Sequence, residues 1–207
     1  MTRASTLAAI RSVLGVSLAA AAGVALWYAM RLCEGAVAPS LSVSPEWLSL
    51  AMNAGIEETL RLGLALAAAL TLRRLGREPG AASLAVIASC VVATLENASY
   101  MAAFPTLDSY WRLGYALPIH ASAAVLYALV TAPFAEPGRG LSRRGIATVA
   151  ASFLAAWSWH AAFNITAALA PFPALPAIGT ALNVIAFAAL AAATAIRYGY
   201  WSIYATR

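Results

Sequence analysis

The 207 residues are 62% hydrophobic and only 10% charged, far below the roughly 25% charge of a soluble domain. This excludes a surface that faces water all round and points to a polytopic α-helical membrane protein. The apolar runs are continuous and Ala/Leu-rich, which argues against the alternation of a β-barrel. The net charge of +5 comes entirely from arginine as the basic residue, and nearly all of these arginines flank apolar runs as orientation signals do, so no nucleic-acid partner is expected.

Six spans are predicted in chain order. The first, Ser12–Met30, follows Arg3 and Arg11 and ends in Trp27-Tyr28, an interfacial pair that favours a membrane span over a signal peptide. The second, Trp47–Leu72, holds Glu57, Glu58 and Arg61 and is followed by Arg73, Arg74 and Arg77. The third, Ala81–Phe104, holds Cys90, Glu96 and Tyr100, and the fourth, Trp111–Ala135, holds Arg112, Pro118 and His120. The fifth, Ile146–Ala170, holds His160 and Asn164, and the sixth is Leu175–Ile196. Cys33 and Cys90 read as small apolar fillers. Residues 1–207 form a single membrane domain, with the motif-bearing core at about 47–170. Arginine placement puts both termini in the cytoplasm, while Arg31, Glu34, Glu46 and Asp108 fall in outer loops.

Ionisable side chains in hydrocarbon are costly and mark function. At a rise of about 1.5 Å per residue, Glu57, Glu58, Glu96, His120 and His160 all lie about 12–15 Å below the outer span ends. Four helices of alternating direction thus bring their polar groups to one level, which implies a shared polar cavity open to the extracytoplasmic side. Glu57 and Arg61, Glu96 and Tyr100, and His160 and Asn164 are each four residues apart and share a helix face. Glu57 and Glu58 point about 100° apart, so a single arginine is not expected to serve both. Pro118 removes a backbone N–H just before His120 and should loosen that helix beside a wet cavity.

The string Glu57-Glu58-Thr59-Leu60-Arg61 resembles the Glu-Glu-x-x-Lys/Arg signature of PrsW-type intramembrane proteases, relatives of the type II CAAX prenyl endopeptidases and the bacteriocin-processing membrane proteases. Glu96-Asn97-Ala98-Ser99-Tyr100 is similar to that family's Glu-Asn-x-x-Tyr segment. Arg112 followed by Pro118-Ile119-His120 resembles its Arg…Pro-x-His segment, and His160 to Asn164 its His-x-x-x-Asn segment. Arg61 stands where lysine is frequent in PrsW-like chains. The resemblance implies a membrane endopeptidase that makes a first cut in a single-span protein, such as an anti-sigma factor.

The residues suit hydrolysis by activated water, with no signature of a Ser or Cys nucleophile. Glu57 is the expected general base, with burial and Arg61 acting on its proton affinity in opposite senses. His120 would hold the water, His160 and Asn164 would donate to the oxyanion, Glu58 would orient Arg61 or the histidines, and Glu96, Tyr100 and Arg112 would give support. A zinc-dependent version would use His120, His160 and Glu57 as ligands of Zn2+. The expected partners are the lipid bilayer and a transmembrane protein or peptide substrate. Intramembrane Glu, His and Arg also build proton relays, so a proton-coupled transporter is the alternative from another class. The small size and the lack of a repeat count against it.

Overall fold

Runs of Ala, Leu and Val with few breakers form long helices wherever backbone groups must bond one another rather than water. The computed structural model describes residues 3–42, 44–74, 79–103, 107–135 and 142–169, with six single helical positions between 181 and 192. Apart from those six positions, the sixth expected span, Leu175–Ile196, lies outside the described residues. The described chain is all helical, with no strand: α1 (Arg3–Leu41), α2 (Glu46–Arg74), α3 (Pro79–Ala103), α4 (Leu107–Ala135) and α5 (Arg143–Leu169). Helices α2 to α5 start and stop within a few residues of the expected spans. The first helix does not: it continues past Met30 to Leu41, so Arg31 and Glu34 are helical residues, not loop residues. Nothing between Met30 and Ala38 breaks a helix, and the chain turns only after Pro39, where Ser42 Oγ donates to the Pro39 carbonyl at 2.7 Å.

Among the described residues, three stretches are long and apolar enough to cross a membrane: Val13–Leu41, Leu117–Phe134 and Arg143–Thr166. A shorter apolar helical stretch covers Leu84–Tyr100. Helix α2 carries Glu57, Glu58 and Arg61 within five positions, and all three are buried inside the bundle. Large apolar side chains face outward instead, including Val13, Leu14, Leu18, Leu32, Ile146 and Leu154, each more than half exposed. Polar groups inside and large hydrophobes outside invert the arrangement of a water-soluble protein.

Contacts between neighbours fix alternating directions. Glu96 meets His120 near the end of α3, whereas Ala85 meets Ala123 and Tyr127 further back, so α3 and α4 are antiparallel. Glu58 meets His160 while Ala65 clusters with Ala156, so α2 and α5 are antiparallel as well. The core is largely alanine, with Ala54, Ala65, Ala69, Ala88, Ala93 and Ala124 nearly inaccessible. Small side chains let helix backbones approach closely, which is how helices associate in lipid. Helix α4 stays helical through Pro118 and Pro133, although a proline leaves one carbonyl in the preceding turn without its intrahelical donor. Helix α5 opens on a Ser142 cap whose Oγ accepts from the Gly145 N–H at 3.0 Å.

Two glycines set helix spacing. A Cβ on Gly23 would lie 2.6 Å from the Ala88 carbonyl oxygen and 2.7 Å from Val91 Cβ, so α1 and α3 touch there through backbone. At Gly55 a Cβ would lie 3.1 Å from Trp157 Nε1, and that indole donates to the Ala51 carbonyl at 2.8 Å. This contact pins α5 to α2 close to the buried glutamates. Gly23→Ala therefore has no room and is expected to destabilise the fold by about 1–3 kcal/mol. Gly15→Ala, where a Cβ would meet nothing within 4 Å, should be neutral or slightly stabilising. Thermal unfolding of the two variants in the same detergent checks the contrast.

Candidate active site

The helices bring six ionisable side chains from four elements into one buried cluster: Glu57, Glu58 and Arg61 from α2, Glu96 from α3, His120 from α4 and His160 from α5. Arg61 is its centre. One guanidinium nitrogen donates to Glu58 Oε1, and the other lies 2.6 Å from His120 Nδ1 and 3.6 Å from Glu57 Oε2. The expectation that one arginine would not reach both neighbouring glutamates is therefore overturned. Glu58 is three and Glu57 four residues before Arg61, so the two carboxylates flank its face and the planar fork spans them.

These contacts fix proton positions. A guanidinium only donates, so His120 Nδ1 must accept, and the ring proton sits on Nε2. That Nε2 donates to Glu96 Oε2 at 2.6 Å. His160 Nδ1 lies 2.8 Å from Glu58 Oε1, an acceptor, so Nδ1 carries the proton there. In the neutral ring this leaves His160 Nε2 with a lone pair facing Glu57 Oε2 at 3.9 Å. The two imidazoles stand edge to face, with ring centres 5.1 Å apart. Each histidine thus has one nitrogen held by a glutamate and the other turned towards Glu57.

Glu57 Oε2 is buried with no hydrogen-bond partner among the described residues. An unpaired buried carboxylate oxygen is expensive. It points into a gap bordered by His120 Nδ1 at 3.8 Å and His160 Nε2 at 3.9 Å. Glu57, His120 and His160 offer three donor atoms within 4.8 Å of one another, and this group can hold a metal ion. Two features bear on the fit. A carboxylate behind each histidine is the usual support of imidazole ligands. Against this, the Glu57–histidine separations are about 0.5 Å wider than a tetrahedral zinc would set, and Arg61 occupies the same His120 nitrogen that the metal would need.

The remaining expected residues lie further out. Asn164 is half-buried one turn beyond His160 on α5. Tyr100 is half-buried one turn beyond Glu96. Arg112 is on α4, but its side chain lies outside the described residues. Asn97, beside Glu96, is buried with its Oδ1 unpaired among the described residues.

Two residues join the site unannounced by sequence reasoning. Glu34, on the extension of α1, lies within electrostatic reach of Glu57, Glu96 and His160. Its signal was the unbroken helical stretch after Met30. Tyr127 is fully buried on α4, with its hydroxyl directed at Glu58 but outside hydrogen-bond geometry. Its signal was a tyrosine in mid-span, two turns from His120 on one face, where an interfacial anchor has no place. Comparison of the chain with protein-family models, curated proteins and solved structures finds no match.

The geometry separates the two adjacent glutamates. Glu58 joins Arg61 to His160, so Glu58→Gln should cost about 3–5 kcal/mol by stranding a buried cation. Glu57→Gln removes a charge whose Oε2 has no hydrogen bond among the described residues, and should stay within about 1 kcal/mol of wild type. Unfolding midpoints in detergent, with helix content as the readout, test this order.

Proposed function

We propose that the protein is an intramembrane endopeptidase that hydrolyses peptide bonds of membrane-protein substrates with water activated by Glu57. One observation carries the reading: the unpaired Glu57 Oε2 faces the His160 Nε2 lone pair at 3.9 Å. Two buried acceptors at that separation are within reach of a single bridging water, which can donate to both.

In this reaction the water oxygen bonds to the scissile carbonyl carbon while Glu57 takes its proton. The C–N bond then breaks, and Glu57 returns the proton to the leaving amine nitrogen. His160 orients the water, and Glu58 holds His160 in the tautomer that leaves Nε2 as an acceptor. Arg61, 3.6 Å from Glu57 Oε2, is the fixed positive charge beside the developing negative charge. Glu96 fixes His120 from behind. Asn164, one turn from His160, supplies an amide able to donate to the oxyanion. The assignment agrees with the sequence resemblance to PrsW-type proteases and with a first cut in a single-span protein such as an anti-sigma factor. In this reading the chain crosses the membrane about six times, has both termini in the cytoplasm and opens its site towards the extracytoplasmic side.

A second reading rests on the same three donor atoms. Glu57, His120 and His160, with Glu96 and Glu58 behind the two histidines, would hold Zn2+ once Arg61 withdrew from His120. The ion would supply Lewis-acid polarisation of the carbonyl and make water a better nucleophile. The contact between Arg61 and His120 favours the metal-free form. A proton-coupled transporter uses similar side chains, but the 3.9 Å separation of Glu57 Oε2 and His160 Nε2 suits a single bound water.

Reconstituted cleavage of a panel of single-span membrane proteins tests the proposal. Glu57→Gln should lower turnover by about 10²–10⁴-fold, the usual worth of a general base, in a chain that unfolds like wild type. His160→Ala should lose activity to a similar degree. A Glu57→Gln chain that cleaves at the wild-type rate would end the proposal. Zinc content after chelation, measured on the same samples, separates the two forms: full activity without bound zinc removes the metal reading.

A further inference from the structure

A cavity of about 350 Å³ opens between the end of α1 and the start of α2. Its α1 wall includes Arg31, Glu34, Ala38 and Ser42, and its α2 wall includes Ser49 and Asn53. On α2 the wall residues continue into the site: Ser49, Asn53, Glu57 and Arg61 are each four residues apart and form one slowly winding ridge. From Asn53 to Glu57 the descent is only about 6 Å along the axis. On α1, Glu34 marks the same boundary, because it lines the cavity and also lies within electrostatic reach of Glu57. Both walls thus run from the cavity towards Glu57.

We infer that this cavity is the port through which the substrate chain reaches Glu57, and that it takes an extended, polar polypeptide segment flanking a membrane span. The inference rests on the endopeptidase reading and names the form in which its substrate enters. The lining chemistry selects the occupant. An acyl chain would leave Arg31, Glu34, Ser49 and Asn53 facing hydrocarbon, at a cost for each polar group. A small ion would find its counter-charge already taken, since Arg31 and Glu34 pair at 2.9 Å. An extended peptide presents alternating N–H and C=O groups, which an asparagine amide and serine hydroxyls can meet from both sides. Its backbone can also come close to α1, because Ala38 is small and a Cβ at Gly35 would meet nothing within 4 Å.

The Arg31–Glu34 pair sits at the inner edge of the port. The Arg31 side chain is 41% exposed and Glu34 only 13%, so the cation reaches outward and the carboxylate inward. Arg31 also lies 5.9 Å from the centre of the Trp27 ring, which holds its stem against α1. The volume is near the lower end of the range for ligand pockets and suits a few residues of extended chain rather than a helix, whose diameter with side chains is about 10–12 Å. A substrate span must therefore unwind, or be cut just beyond its end.

Blocking the port after the protein has folded tests the inference. Ala38→Cys, in a chain carrying Cys33→Ala and Cys90→Ala, is purified and then modified with a bulky water-soluble maleimide. Modification should lower cleavage of the single-span panel proteins at least about tenfold relative to the same variant unmodified, mainly through KM. Arg143→Cys, at the opposite end of the bundle, should be modified without effect. In the inactive Glu57→Gln background, a panel protein that is cleaved by wild type should slow modification at position 38 and not at 143. Cleavage by wild type is the control on the parent reading, and its absence would sink the endopeptidase and the port together. Wild-type cleavage that survives modification at position 38, or a modification rate there that substrate leaves unchanged, would overturn the port alone.

Discussion

A single buried guanidinium organises this protein. Arg61 cannot shed its charge, and burial without partners would cost more than a small bundle can supply. Its hydrogen bonds to Glu58 and His120 therefore dictate where α2 and α4 must stand. Those two partners carry the requirement outward, because Glu58 also holds His160 on α5 and His120 also holds Glu96 on α3. In a low-dielectric interior a network of this kind stabilises when complete and destabilises when one member is missing. The relative placement of four helices is thus tied to one polar cluster, in a core whose other members are mostly alanine and specify little by shape.

The alanines and glycines answer that requirement from the apolar side. Long side chains between the helices would hold the backbones apart and leave the polar groups out of reach of one another. With Gly23 against Ala88 and Gly55 against Trp157, the backbones close to distances at which glutamate and histidine side chains meet. The indole bond from Trp157 to the Ala51 carbonyl locks α5 at the level where His160 reaches Glu58. Apolar packing in lipid has little hydrophobic drive of its own, so small residues and polar bonds act together rather than as alternatives.

Much of this was legible in the sequence, and for identifiable reasons. Helices α2 to α5 follow from apolar runs punctuated by Arg73, Pro79, Pro105 and Arg143. The common depth of Glu57, Glu58, Glu96, His120 and His160 follows from counting residues along a helix of fixed rise. What the count does not contain is azimuth between helices. Hence the pairing of Glu96 with His120, and of Glu58 with His160, needed coordinates. The reach of Arg61 to both glutamates does not follow from Cα directions, because the long arginine stem and forked head cover an angle that backbone geometry does not express. Glu34 was misplaced because a charged pair after an apolar run looks like a loop. On α1 the two charges are three residues apart and satisfy each other, so the helix can carry them onward. Tyr127 escaped notice because aromatic residues in membrane helices are read first as interfacial anchors.

Two carboxylates in succession on one helix point in different directions, and in this bundle the difference sorts them. Glu58 turns into the alanine-lined interior beside Tyr127 and Ala65, where its oxygen is shared by Arg61 and His160. Glu57 lies one turn below Asn53 and within electrostatic reach of Glu34, both of which line the cavity. Were the order reversed along the same helix, the residue nearer the cavity wall would be the one on which the network depends, and any change there would cost the fold. Adjacent placement avoids that conflict. A single turn of α2 supplies one carboxylate to hold the helices together and a second, with an oxygen unpaired among the described residues, to meet a substrate in the proposed reaction.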